Sequence, residues 1–102
     1  MTQKTFTFVF DDESPRKVTF DYSSDATEEL NVTVEDEIPV LYANKKGLLT
    51  LAKLFVRLAH GDYAAGFHVH VSKDFDADKS ETLRGVVAED SNPGNRGRTV
   101  DP

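Results

Sequence analysis

The chain has 102 residues, 38% hydrophobic and 10% aromatic, with a formal charge of −6 and no cysteine. That length suits one domain with a single modest core, and the missing cysteines exclude a disulfide framework and thiolate chemistry. No run approaches the roughly 18 consecutive apolar residues of a membrane span, and the N-terminus MTQKTFTFVF lacks the layout of a secretory signal, so a cytoplasmic protein without a membrane partner is expected.

The charge is uneven. Residues 1–43 carry three basic and ten acidic side chains, whereas residues 44–66 carry four basic and one acidic. An acidic half disfavours nucleic acid, because phosphate contacts need clustered Lys and Arg. It suits attraction to a basic protein partner, and it equally suits plain solubility.

Thr5 to Phe10 alternates, with Phe6, Phe8 and Phe10 on one side, and predicts a first strand. A polar turn through Pro15 leads to Lys17–Tyr22, where Val18, Phe20 and Tyr22 alternate as a second strand. After Ser23–Glu29, Leu30, Val32 and Val34 predict a third. Three strands with short links suggest an antiparallel meander. Pro39 argues against a central strand over Asp36–Ala43, which reads as an extended edge or connector.

Asn44 is a suitable N-cap. Leu48, Leu51, Ala52, Phe55, Leu58 and Ala59 then recur at helical spacing, widened by Leu49 and Val56, with Lys45, Lys46, Lys53 and Arg57 on the wet side. The helix runs from Lys45 to His60 and ends at Gly61, where a left-handed residue is common. Gly47, a poor helix former, either weakens the first turn or admits another backbone close by. Gly66 opens the next strand, with Phe67, Val69 and Val71 facing one way and His68, His70 and Ser72 the other. Thr82–Glu89 predicts a last strand, and 91–102 a disordered tail.

The expected fold is a single α+β domain over 1–90. It has a mostly antiparallel sheet of about five strands in βββ-α-ββ order, with one long amphipathic helix packed on one face. The open face would then carry Thr5, Thr7, Thr19, Asp21, Thr33, Glu35, His68 and His70. Of these, Asp21, Glu35, His68 and His70 are the candidate partner-binding residues. The same face offers a surface for a symmetric homodimer.

His68 and His70 place two imidazoles on one side of a strand. That pattern can supply two ligands to a transition metal but lacks a third, so no metal or other cofactor is expected and a metal site on the pair is the alternative. Asp74, Asp76 and Asp78 alternate like a calcium loop, yet Lys79 falls where that loop needs glycine and Gly85 where it needs glutamate. Gly61–Gly66 follows a helix and precedes a strand, the reverse of a phosphate loop. No nucleophile sits in a recognisable elbow. No enzyme is predicted.

The block Asn44–Lys53 (NKKGLLTLAK), followed by Gly66–His70 (GFHVH), resembles the immunity protein 32 family over about residues 43–89. The resemblance implies a small bacterial α+β immunity protein that binds and neutralises a cognate toxin without catalysis. By position the matched residues are Asn44, Gly47, Leu48, Gly66, His68 and His70. Within that set the two histidines are expected at the partner, and Asn44, Gly47 and Gly66, together with the helix-stop Gly61, in structural roles.

Overall fold

The computed structural model describes residues 1–19 and 27–89. Phe20, Asp21 and Tyr22 of the expected second strand, and the tail 91–102, lie outside the described residues. The elements in order are β1 (Leu30–Glu35), β2 (Ile38–Ala43), α1 (Lys45–His60), β3 (His68–Ser72), a 3-10 turn (Lys73–Phe75) and β4 (Glu81–Val86).

The expected five-strand sheet does not form. Among the described residues β1 pairs with β2 and β3 with β4, each antiparallel, as two separate two-stranded sheets. The reason lies on the outer edge of β1. The Leu30 N–H donates to Asp74 Oδ1 at 2.9 Å and the Val32 N–H to Thr82 Oγ1 at 2.7 Å. The Thr82 hydroxyl also lies 3.4 Å from the Val32 carbonyl. Side chains from the turn and from β4 thus satisfy backbone groups that a ladder would otherwise use, and β4 lies beside β1 without pairing.

The same geometry explains how Pro39 is tolerated inside β2. Val32 turns its N–H and C=O away from β2, so Val32 and Leu41 form a non-hydrogen-bonded pair. Two residues on, Val34 and Pro39 form another. The proline nitrogen therefore faces away from β1, and no ladder bond is lost.

Thr5–Phe10 is not a strand either. Its alternation does bring the phenylalanines to one side, where Phe6, Phe8 and Phe10 stack at centroid distances of 6.5 and 5.4 Å. Among the described residues no strand pairs with them. Instead Lys53 Nζ and the Arg57 guanidinium stand 5.6 and 5.4 Å from the Phe8 ring centre, as cation–π contacts. Arg57 also donates to the Thr19 carbonyl, and the Tyr63 hydroxyl to the Lys17 carbonyl.

Helix α1 occupies the bounds that its cap and stop residues predict, and Leu51 and Leu58 face the core as expected, but the inward side is rotated from the rest of the predicted stripe. Gly47, Leu51 and Leu54 are buried, with Leu58 packed against the core. Leu48, Leu49 and Phe55, expected inside, are each about half exposed, at 50%, 48% and 48%. The rotation follows from Gly47, which sits against the Glu29 backbone and turns its own side of the helix to the fold. The buried core is Leu30, Leu51, Leu54, Val69, Val71 and Phe75.

Two expectations for glycines are also refined. Gly61 ends α1 with φ −84°, an extended rather than left-handed conformation. A Cβ there would lie 2.3 Å from the Tyr63 ring, so its smallness admits that ring, which stacks on Phe67 at 4.4 Å. Gly66 has φ +94°, a region that L side chains rarely adopt, and its N–H donates to the Val87 carbonyl.

Asp74 ties the 3-10 turn to the start of β1. Its Oδ2 accepts from Lys79 Nζ at 2.8 Å while Oδ1 holds the Leu30 N–H. The residue has φ +57°, a conformation that Asp tolerates better than most. The Lys79 ammonium first, and the Leu30 N–H second, hold its carboxyl below the ordinary carboxylate range. Asp74→Ala is expected to lose about 1–3 kcal/mol at neutral pH by stranding a partly buried N–H. Because the folded value is lowered, the unfolded chain binds more protons between the two values. The contribution of the ionised form is therefore complete above about pH 5 and disappears as pH falls through the folded value, below about pH 4. Denaturation of wild type and variant across that window checks this: their stability gap should narrow on acidification, because the protonated carboxyl loses Lys79 but can still accept from the Leu30 N–H.

Candidate functional site

Two surfaces carry unassigned chemistry. The first is the outer side of the β3–β4 pair. Val69 and Val71 point into the core, which leaves His68 and His70 exposed. The register sets His70 opposite Arg84 and Ser72 opposite Glu81, with an irregularity between Val71 and Ser72. His70 Nδ1 lies 2.6 Å from Glu81 Oε2, and His68 Nδ1 lies 3.1 Å from the Gly66 carbonyl. Arg84 grips Glu81 with both ends of its fork, Nε to Oε2 at 3.0 Å and Nη2 to Oε1 at 2.8 Å.

That guanidinium first, and the His70 ring second, hold the Glu81 carboxyl down at about 2. Glu81 therefore stays ionised at neutral pH and serves as an acceptor only. It cannot act as a general acid there. Glu81 and Arg84 were not recognisable from the sequence, because the predicted strand began at Thr82 and no register was known. The pairing of a histidine strand with a strand that begins with glutamate and carries an arginine three residues on was the available clue.

The second surface is the far end of the β1–β2 hairpin. Leu30, Val32 and Val34 share one face with Ala43, Leu41 and Pro39. Burial falls away along it: Leu30 is 1% exposed, Leu41 42% and Val34 72%. On the opposite face Ile38 and Tyr42 are 61% and 52% exposed. The connecting residues Asp36 and Glu37 have φ of +54° and +67°. Two positive φ values in a two-residue loop mark the type I′ turn, whose second position favours glycine. Glu35 accepts from the Thr33 hydroxyl at 2.9 Å and the Tyr42 hydroxyl at 2.7 Å. Among the described residues no Lys or Arg forms an ion pair with Glu35, Asp36 or Glu37.

The four expected partner-binding residues are thus not one constellation. His68 and His70 stand together on β3, Glu35 belongs to the separate β1–β2 sheet, and Asp21 lies outside the described residues. Among the described residues the strands form two separate sheets, so the single open face expected to carry all four is not formed. Asn44 and Gly47 meet at the helix start, where Asn44 Oδ1 accepts from the Gly47 N–H at 2.8 Å and the Glu29 N–H at 2.9 Å. Among the described residues no group of three or more His, Cys, Asp or Glu is placed to hold a metal ion, and no helix is long and apolar enough to cross a membrane.

No family model, curated protein or solved structure matches the chain. The immunity-protein resemblance therefore rests on the residues that carry it.

Proposed function

We propose that this chain is a small non-catalytic protein-binding domain that docks a basic protein through the end of its β1–β2 hairpin. The observation that carries the reading is the turn itself. Glu37 occupies a left-handed position that glycine fills without penalty, at a cost of about 1 kcal/mol. Backbone strain at an exposed charged residue is a pointer to function. The carboxylates of Glu35, Asp36 and Glu37 cap the hairpin end, with exposed Val34 and Leu41 on one face and exposed Ile38 on the other, an apolar tip with an acidic rim. Such a patch complements a basic surface, with the charges steering encounter and the apolar residues lengthening residence. The resemblance to immunity proteins makes a cognate toxin the natural partner.

The reading is tested by co-expressing the chain with the product of a toxin-type reading frame beside its gene. Growth rescue and a stoichiometric complex are expected. Glu37→Gly should raise stability by about 1 kcal/mol while weakening the complex, and Val34→Asp should abolish it without unfolding the chain. A toxin neutralised equally well by the Val34→Asp variant, or a chain that only self-associates in sedimentation, would refute hairpin docking.

A further inference from the structure

We propose that His68 and His70 form a two-imidazole site for a late first-row divalent cation, Cu(II) ahead of Ni(II) and Zn(II), with Glu81 as the residue that positions His70. The two Nδ1 atoms face oxygens that only accept, the Gly66 carbonyl and the Glu81 carboxylate. Each Nδ1 therefore carries a proton, and in the neutral ring the lone pair resides on Nε2, the atom left free to coordinate. A carboxylate behind an imidazole is the arrangement that orients metal-bound histidines and raises their basicity. Here the carboxylate is itself held at both oxygens by Arg84.

The ring spacing agrees. Residues two apart on a strand are separated by about 7 Å, yet the centroids of His68 and His70 are 4.9 Å apart, with an interplanar angle of 80°. A metal–nitrogen bond of about 2.0–2.1 Å puts an imidazole centroid about 3.2 Å from the ion. Two such rings lie about 4.5 Å apart at a square-planar angle and about 5.2 Å apart at a tetrahedral one. The observed spacing falls between.

Imidazole nitrogens suit copper, nickel and zinc, and the usual order of divalent affinities puts Cu(II) first. With two protein donors the remaining positions are taken by water. The Glu81–Arg84 pair is neutral as a unit, and the chain's charge of −6 favours approach of a cation.

The test uses the full untagged chain, Cu(II) as the probe, calorimetry for affinity and electron paramagnetic resonance for the donor set. One Cu(II) per chain with two imidazole nitrogens is expected. His68→Ala and His70→Ala should each remove that two-nitrogen signature, and Glu81→Gln should lower affinity roughly 10–100-fold. His60→Ala, at the end of α1, should change neither. These side chains are exposed, and circular dichroism of each variant verifies the fold. Copper bound equally by the His68→Ala, His70→Ala double variant, a signal without two imidazoles, or unchanged affinity in Glu81→Gln would overturn the proposal. The experiment involves neither the hairpin nor a toxin, so its outcome is separate from that of the docking test.

Discussion

Gly47→Ala is expected to destabilise the chain by about 2–3 kcal/mol, although alanine is the better helix former by about 1 kcal/mol. A Cβ at this position would sit 2.2 Å from the Glu29 carbonyl oxygen, and 3.2 Å from Asn44 Oδ1. The first of these is backbone and cannot swing aside. Glu29 is also held through its N–H by Asn44 Oδ1, while the Asn44 amide donates to the Thr27 carbonyl at 2.7 Å. Moving the carbonyl would therefore disturb the helix cap and the entry to β1 together. Urea denaturation of the variant measures the loss directly. Stability equal to or above wild type would mean that propensity outweighs the close approach.

Leu30→Ala should cost about 3 kcal/mol, within the 2–5 kcal/mol range for buried leucines. Leu30 is 1% exposed and among the largest fully buried side chains, in a core of six buried hydrophobic residues. Its N–H is the one Asp74 holds, so the cavity would open where the β1 edge is also fastened. A domain of this size has roughly 5–15 kcal/mol in total, and thermal unfolding should fall by roughly 10–25 °C. Val34→Ala is the internal comparison. It lies on the same face of the same strand but is 72% exposed, and should change stability by less than about 0.5 kcal/mol. Similar losses at both positions would contradict the fall in burial along β1 from Leu30 to Val34.

The two proposed surfaces make different demands on the fold. The hairpin end is strained at Asp36 and Glu37 and overhangs the core, so substitutions there can improve stability while harming binding. The histidine pair sits on β3, whose alternate residues Val69 and Val71 are anchored in the core. That anchoring fixes the backbone carrying the imidazoles, the condition a precise site requires.

Local pattern determined much of the architecture. The Asn44 cap, the three- and four-residue apolar steps and Gly61 defined α1, because capping and helical periodicity act within a few residues. Alternation likewise placed His68 and His70 together and outward on β3. Only the tertiary structure decided which strands pair. Thr5–Phe10 has strand alternation, but its phenylalanines stack and meet the cations of α1 without a ladder. Asp74 and Thr82, 44 and 50 residues from the backbone groups they satisfy, keep β1 and β4 from joining. The inward side of α1 depended on the Glu29 carbonyl reaching Gly47, and the setting of the histidines on a register that brings Glu81 and Arg84 across from them. Propensity and periodicity are properties of neighbours along the chain. Edge satisfaction, close backbone approach and cross-strand partners are set by residues far apart in it.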